Sequence, residues 1–210
     1  MNRALNFFTD AEKERIREAT QAAESKTIGE IAVMIVNTSN HYYEAEILGA
    51  ITFGNIIAFL ITIFFLHESI WWYVPLTFAL FIPLWVLFRK MPSLKIHFTS
   101  AKRRQLAVRD RALQAFYHKG LHRTKANTGV LFFISVLERK VWVLAERGIH
   151  ERIKQSKLNT FAQAISEGIR NNKAAEALIK AIGEAGELLH EHFPLEPGDT
   201  NEISDSLIIE

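Results

Sequence analysis

The chain has 210 residues, a formal net charge of +2 and no cysteine. The absence of cysteine excludes a disulfide framework and a thiol nucleophile, and it fits a reducing compartment. Two apolar segments take up about 40 residues, so the rest of the chain is enough for one soluble domain of ordinary size.

The first predicted elements are a helix and a strand. Thr9 and Glu12 have the spacing of a capping box, which predicts a helix over residues 10–26. Residues 31–36 form a short apolar run rich in β-branched side chains, which favours a strand covered on both faces. Residues 1–10 lack the charged-then-apolar pattern of a signal peptide, so we expect the first 40 residues to stay where they are made.

Residues 47–66 and 70–88 are two apolar segments without a charged side chain, separated by the polar residues 67–69. A bilayer core of about 30 Å needs about 20 helical residues, so each segment is long enough to cross it once. The alternative is a buried helical hairpin of a soluble protein, but such helices normally carry a polar stripe. The pattern therefore predicts a two-helix transmembrane hairpin.

The distribution of basic residues predicts how the hairpin is oriented. Residues 89–125 contain eleven Lys and Arg residues against the single acid Asp110, whereas residues 67–69 contain none. Lys and Arg are retained on the cytoplasmic side of a membrane. We therefore expect a multi-pass protein of the cell (inner) membrane whose termini and soluble domain are both cytoplasmic.

Small residues and prolines recur every fourth position in both segments and predict the faces on which the two helices pack. These residues are Ala50, Gly54 and Ala58 in the first segment and Pro75, Ala79 and Pro83 in the second. A transport pathway would need ionisable groups inside the membrane, and neither segment contains one. The hairpin is therefore interpreted as an anchor.

The remaining sequence alternates between helical and strand patterns. A helix is expected from about residue 99 to residue 122, followed by two strands over residues 130–137 and 141–145 joined as a hairpin. Two further helices are expected over residues 159–170 and 173–192. Residues 195–210 contain five acids and no base, which is typical of a flexible tail, although residues 206–209 could add to a sheet edge.

Several short motifs, in this order, resemble the TPM domain family. They are FTDAE at 8–12, TIGEI at 27–31, TGVL at 128–131, LERKV at 137–141, VLA at 143–145, GI at 148–149, and LL at 188–189 before FP at 193–194. The family includes thylakoid-lumen proteins, a receptor modulator and many bacterial membrane proteins. The resemblance implies a three-layer α/β/α domain with a small mixed sheet.

The resemblance is closest to a bacterial branch in which a transmembrane hairpin interrupts the domain after its first strand. It implies four parts. They are a first part of the domain at 1–46, the hairpin at 47–88, a second part of the domain at 89–194 and the acidic tail at 195–210.

The resemblance also implies a phosphatase-like activity and the binding of a divalent cation such as calcium. Glu30 begins the first predicted strand, Glu146 ends the third, and His150 follows one turn later, so these side chains are the candidate metal ligands. Arg139 and Arg147 are candidates to contact phosphoryl oxygens. The alternative for both arginines is an ordinary surface ion pair with a neighbouring glutamate.

His118 and His122 stand four residues apart, as two ligands of a zinc site on one helical face would. No third ligand accompanies them in a recognised pattern, so the alternative is a polar helix end.

The basic residues after the second apolar segment are expected to contact anionic lipid head groups, at about 1 kcal/mol per base close to the surface. They are Arg89, Lys90, Lys95, Lys102, Arg103 and Arg104. Nucleic acid is the alternative, but a membrane-tethered helix already has a polyanion beside it. With no convergent catalytic set, the sequence favours a non-enzymatic interaction or assembly module that acts on other membrane proteins. The alternative is a divalent-metal-dependent phosphatase.

Overall fold

The computed structural model describes residues 3–65, 70–124, 127–197 and 202–210. The chain divides into two compact units. The first, called here the sheet domain, contains Met1–Ser39 and Gln105–Glu210, and the second, called the hairpin unit, contains Asn40–Arg104. The predicted polar break at 67–69, together with Leu66 and Lys125, lies outside the described residues.

The helices and strands follow the order that the sequence predicts, with a few additional short elements. In chain order they are α1 (Asp10–Glu24), β1 (Glu30–Val36), α2 (Tyr43–Phe65), α3 (Ile70–Lys90), α4 (Pro92–Lys95), α5 (Ala101–His118), β2 (Gly129–Ser135), β3 (Lys140–Ala145), α6 (Arg147–Arg152), α7 (Gln155–Arg170), α8 (Ala174–His192) and β4 (Ile208–Ile209). Short 3-10 turns occupy Ile96–Phe98 and Leu121–Arg123.

The sheet domain contains a four-stranded mixed sheet in the order β3-β2-β1-β4. Strand β1 runs parallel to β2 along its whole length and parallel to β4 at its end, whereas β2 and β3 are antiparallel. Helices α1, α7 and α8 cover one face of the sheet, and α5 covers the other. This arrangement confirms the three-layer α/β/α fold with a small mixed sheet.

The central position of β1 follows from its sequence. All seven of its residues are buried, which confirms the strand covered on both faces. Its side chains alternate between the layers because successive residues of a strand point to opposite faces. Ile31, Val33 and Ile35 lie in the core with α1, α7 and α8, while Ala32, Met34 and Val36 lie in the core with α5.

The capping box at the start of α1 is also confirmed. The Thr9 Oγ1 atom accepts a hydrogen bond from the Glu12 backbone N–H at 3.3 Å, and the Thr9 backbone N–H donates to Glu12 Oε2 at 2.7 Å. Two backbone donors that the helix itself cannot pair are thereby satisfied.

The described part of the C-terminal tail is bound to the sheet domain. Ile208 and Ile209 pair with Met34 and Ile35 of β1, and the Glu210 side chain lies 2.6 Å from Arg111 Nη2. This differs from the expectation of a flexible tail and agrees with the alternative that residues 206–209 add to a sheet edge. Residues 198–201 lie outside the described residues.

We expect Gly186→Ala and Gly183→Ala to have opposite effects, although both residues lie in α8. A Cβ at Gly186 would stand 2.5 Å from Ala23 Cβ and 2.9 Å from Ala23 Cα, so α1 would have to move. That overpacking is expected to cost about 1–3 kcal/mol. A Cβ at Gly183 meets open space and gains up to about 1 kcal/mol of helix propensity.

For this pair, pulse proteolysis measures the urea concentration at which half of the full chain is unfolded. A lower midpoint for Gly186→Ala and an unchanged or higher one for Gly183→Ala is the expected result. Equal midpoints would contradict the close approach of α1 and α8.

Candidate membrane anchor and the predicted polar sites

Helices α2 and α3 are both long and apolar enough to span a membrane. Their large apolar side chains are strongly exposed, with Trp71 at 86%, Phe78 at 73% and Phe64 at 74%. A core helix of a soluble protein normally buries such side chains, so this exposure is compatible with helices that span a membrane.

Helices α2 and α3 pack against each other through small residues on α2 and large residues on α3. A Cβ added at Gly49 would stand 2.3 Å from Phe88 Cε1, and one added at Gly54 would stand 3.6 Å from Leu84 Cδ1. The later residue of α2, Gly54, faces the earlier residue of α3, Leu84. The two helices are therefore antiparallel. Ala50 and Ala58, predicted on this face, have no exposed surface.

The packing face predicted for the second helix needs correction. Pro75, Ala79 and Pro83 are exposed in α3. The face towards α2 carries Leu84 and Phe88 instead. The physical reason is that the groove left by small residues on one helix is filled by large side chains from the other, because two small faces would leave a gap.

One polar contact also joins the two helices. The Tyr73 hydroxyl donates to Asn55 Oδ1 at 2.8 Å, and the Asn55 side-chain amide donates to the Ile51 carbonyl at 2.8 Å. Both polar ends of Asn55 therefore have partners within the hairpin unit. A satisfied amide costs far less in an apolar surrounding than one without partners.

A buried ion pair ties the start of α2 to α4. Lys95 Nζ lies 2.5 Å from Glu46 Oε1 and also donates to the His41 carbonyl at 3.1 Å. Glu46 is 2% exposed and Lys95 is 7% exposed. The sequence expectation placed Lys95 among the lipid-facing bases, and this assignment is corrected because its ammonium group is buried against a carboxylate.

Sequence reasoning did not indicate a role for Glu46, because its partner Lys95 lies 49 positions later in the chain. The signal that could have found it is an acid placed directly before an apolar run, where an uncompensated charge would be costly.

The other five predicted lipid-facing bases differ in their surroundings. Arg103 lies 3.0 Å from Glu44 Oε1, both side chains being about half exposed. Arg104 is half-buried. Arg89, Lys90 and Lys102 are exposed, and the Arg89 guanidinium lies 5.8 Å from the centre of the Trp85 ring. These three bases remain the strongest candidates for head-group contact.

The predicted metal ligands Glu30, Glu146 and His150 do not come together as one group. Within the described ranges, no set of three or more His, Cys, Asp or Glu side chains could hold a metal ion. Strand β2 lies between β1 and β3, which separates the Glu30 and Glu146 backbones by about 10 Å.

The two carboxylates also have partners of their own. Glu30 is 6% exposed and accepts the backbone N–H groups of Glu202 and Ile203 at 3.0 and 3.3 Å. Glu146 accepts the Thr124 hydroxyl at 3.2 Å. Glu30 thus binds the tail, a role that the sequence did not indicate.

The predicted pair His118 and His122 does not share one helical face. Helix α5 ends at His118, Gly120 follows with a φ of 80°, and His122 lies in the next 3-10 turn. The spacing of four residues indicated a shared face only if the helix continued through Gly120. Arg147, a candidate for phosphoryl contact, lies 3.2 Å from Glu151 in an exposed ion pair, as the alternative interpretation expected.

A further carboxyl group that the sequence did not indicate lies near Glu30. The Glu24 Oε1 atom accepts the Ile31 backbone N–H at 2.7 Å, and the Glu24 side chain is hydrogen-bonded to Asp205 of the tail. Burial, together with smaller contributions from the nearby Asp205 and Glu30 carboxyl groups, raises the pKa of Glu24 from 4.5 to about 9. Glu24 therefore keeps its proton at neutral pH.

We expect the sheet domain to lose stability as the pH rises from about 4.5 to about 9. In this range the unfolded chain has already released the Glu24 proton, whereas the folded chain must retain it. The contribution of Glu24 is complete below pH 4.5 and is lost as the pH rises through about 9. Hydrogen exchange at the tail amides of Ile208 and Ile209 should accelerate over the same range.

Glu24→Gln should remove this pH dependence, because glutamine can still accept from Ile31 and donate to Asp205 but does not titrate. Glu18→Gln is the matched control, since Glu18 is exposed on the same helix. An unchanged pH dependence in Glu24→Gln would contradict the assignment.

Comparison with known proteins agrees with this architecture. A family profile described as the TPM domain matches residues 94–188, and no curated protein matches the chain. The BA42 protein of the psychrophilic bacterium Bizionia argentinensis, solved by NMR, is similar over 97% of this chain and 96% of its own. The TM-score is 0.61 and the sequence identity is 19%. At that identity the likeness shows the fold, and the profile match confirms the resemblance noted above over residues 94–188, which match the TPM domain.

Proposed function

We propose that this protein is a membrane-anchored TPM-domain protein that acts as a non-enzymatic interaction and assembly module at the cytoplasmic face of the cell (inner) membrane. The observation that carries the proposal is the exposed apolar surface of α2 and α3, typified by Trp71 and Phe78. A bilayer covers such a surface without any further protein. The insertion of a hairpin after β1 is the arrangement of the bacterial branch that the motifs resemble.

The polar groups of the hairpin unit also suit this location. Residues 47–65 and 70–88 contain no charged side chain, and the Tyr73 hydroxyl donates to Asn55 between the helices. With Lys95 and Arg103 paired to acids, the exposed bases Arg89, Lys90 and Lys102 are proposed to contact anionic head groups. Such contacts hold the base of the anchor at the inner leaflet.

The location and orientation are tested with single cysteines, since the natural chain has none. Ser69→Cys places a thiol between the two spans, and Gln163→Cys places one on the exposed side of α7. A membrane-impermeant maleimide added to intact spheroplasts should label Ser69→Cys alone and should label Gln163→Cys after lysis. The reverse pattern would contradict the orientation, and recovery of the unlabelled chain in the soluble fraction would contradict the anchor.

The lipid contact is tested by native mass spectrometry of the protein released from membranes that contain phosphatidylglycerol. The triple variant Arg89→Gln, Lys90→Gln and Lys102→Gln should retain fewer anionic lipids than the natural chain. The control is Lys157→Gln with Lys180→Gln, which removes charge from the sheet domain. Equal lipid retention in all three proteins would remove the head-group assignment.

The interaction module and the competing divalent-metal-dependent phosphatase are distinguished with one detergent-solubilised preparation. Co-purification should recover specific membrane proteins that a control hairpin protein of similar size does not. The absence of any such protein would count against the module. Phosphoester hydrolysis that requires Mg²⁺, Mn²⁺ or Ca²⁺, with a melting temperature raised by the same ion, would favour the phosphatase instead.

A further inference from the structure

The edge of the sheet beside β1 is covered by residues 202–210, called here the tail segment. Strand β1 has seven residues, and β4 pairs with only two of them, Met34 and Ile35. Without β4, the strand order would place β1 at an open edge of the sheet. An open edge presents unpaired backbone groups that pair readily with another extended chain. The tail segment therefore covers a strand that is suited to the addition of a further strand.

Main-chain contacts hold both ends of the tail segment. The buried Glu30 carboxylate accepts the backbone N–H groups of Glu202 and Ile203 at 3.0 and 3.3 Å. At the other end, the Glu210 backbone N–H donates to the Ile35 carbonyl at 3.0 Å. Contacts to the main chain do not depend on the side chains of the bound segment. Other extended segments could therefore make the same hydrogen bonds.

Three side chains of the tail segment add specific contacts. Ile208 and Ile209 are partly buried and lie on opposite faces of the sheet, Ile208 against the core with α5 and Ile209 against the core with α1, α7 and α8. The Glu210 carboxylate lies 2.6 Å from Arg111 Nη2 and 3.3 Å from Lys119 Nζ. The β1 edge thus selects two large β-branched residues followed by an acid.

The first half of the tail segment fits its position poorly. Asp205 is hydrogen-bonded to Glu24 and lies near Glu30, so three carboxyl groups meet and one of them must keep its proton. Arg17 lies near Asp205, but it also forms an ion pair within α1. Clefts of about 380 and 330 Å³ separate this part of the segment from α1, and side chains beside a cleft lack packing partners on one side. The tail segment is therefore suited to leave the edge when a better-fitting segment competes.

We propose that the β1 edge is a docking site for an extended segment of a partner protein, and that the tail segment is its displaceable cover. The partner segment carries two consecutive β-branched apolar residues followed by an acid, and it has a neutral side chain in place of Asp205. It adds to β1 as a parallel strand in the register of β4. This inference rests on the interaction module proposed above and identifies the surface through which the module binds.

The probe is a fluorescein-labelled synthetic peptide with the sequence of residues 202–210 and the substitution Asp205→Asn. Its fluorescence anisotropy is measured with increasing amounts of the full chain in neutral phosphatidylcholine nanodiscs. In the natural chain, the peptide competes with the attached tail segment, which has a high effective concentration. The double variant Ile208→Ser with Ile209→Ser, called the loosened chain, weakens that competitor. It should bind the peptide at least about tenfold more tightly than the natural chain does.

Further substitutions in the loosened chain test the contacts of the edge. Arg111→Gln removes the cation closest to the Glu210 carboxylate, and it should weaken peptide binding about tenfold. Arg109→Gln is the matched control, because Arg109 is exposed on the same helix, and it should leave the affinity unchanged. A peptide that also carries Ile208→Ser and Ile209→Ser should not bind.

A second measurement uses the natural chain, so it does not depend on the loosened chain being folded. The isotope-labelled natural chain is mixed with an excess of the unlabelled peptide, and hydrogen exchange is followed for its own amides. Displacement of the tail segment should accelerate exchange at Ile208 and Ile209. Exchange at Phe132, in the middle of β2, should not change.

Absence of saturable peptide binding to a folded loosened chain would overturn the proposal, and so would equal affinity in Arg111→Gln and Arg109→Gln. If the loosened chain does not fold, unchanged exchange at Ile208 and Ile209 in the natural chain would overturn it. A dimeric natural chain whose tail segment stays protected against excess peptide would indicate strand exchange with a second copy, which also overturns a partner segment. Peptide binding does not require a recovered partner, so failure of the docking edge and failure of the co-purification test are separate results.

Discussion

Replacing Glu46 by glutamine is expected to destabilise the hairpin unit by about 3–5 kcal/mol. Lys95 would keep its charge in a site where it is 7% exposed, with the His41 carbonyl as its remaining partner. Removing one partner of a buried ion pair costs more than the pair contributes, because the other charge stays desolvated. Thermal unfolding in detergent, followed by tryptophan fluorescence, measures the loss, since three of the four tryptophans lie in α3.

Glu44→Gln is the matched control, because Glu44 lies in the same helix, two residues before Glu46. Glu44 pairs with Arg103 in a site where both side chains are about half exposed, so its loss should cost at most about 1 kcal/mol. The double variant Glu46→Met with Lys95→Met should recover much of the stability, because it removes both buried charges together. Equal melting temperatures for Glu46→Gln and Glu44→Gln would contradict the buried ion pair.

The Glu46–Lys95 pair also shows where reasoning from sequence stops. The basic content of residues 89–125 was visible as a count, and it predicted lipid contacts for every base near the second span. The partner of Lys95 lies 49 positions earlier in the chain. A count of the bases in one segment cannot show that an acid from another segment pairs with one of them. The number of bases available for lipid contact was therefore overestimated.

Local patterns predicted the elements of the fold much better than the contacts between them. The capping box at Thr9 and the apolar run of β1 depend on neighbouring residues only, and both are confirmed. The three-layer arrangement followed from the family resemblance. Which side of α3 meets α2 depends on the shape of α2, so the repeat of Pro75 and Pro83 gave a face that proved to be exposed.

The candidate sites were the least predictable part of the molecule. Glu30 and Glu146 were expected at strand ends, where they do lie, but strand order decides whether such ends meet, and β2 separates them. The Glu24–Asp205 contact joins residues that are far apart in sequence. No local periodicity marks such a pair, since the packing of α1 and the tail beside the sheet brings the two residues together.

Phe88→Ala and Phe78→Ala make the same chemical change at two positions of α3, and we expect very different results. Phe88 is 2% exposed and lies against Gly49, with its ring centre 5.8 Å from that of Phe53 and 5.4 Å from that of Phe98. Its truncation should leave a cavity and cost about 3 kcal/mol. Phe78 is 73% exposed, so its truncation should change the hairpin stability by less than about 0.5 kcal/mol.

The comparison also tests what surrounds the two helices. In a bilayer, lipid chains contact the side of α3 that carries Phe78, and the stability of the hairpin comes from van der Waals packing rather than from removal of apolar surface from water. Phe88→Ala should therefore lower the melting temperature in detergent while leaving membrane insertion intact, because the helix remains apolar enough to span. Phe78→Ala should leave both unchanged. If Phe78→Ala instead matched Phe88→Ala, the exposed face of α3 would have to pack against protein, and the hairpin could not be a simple lipid-facing anchor.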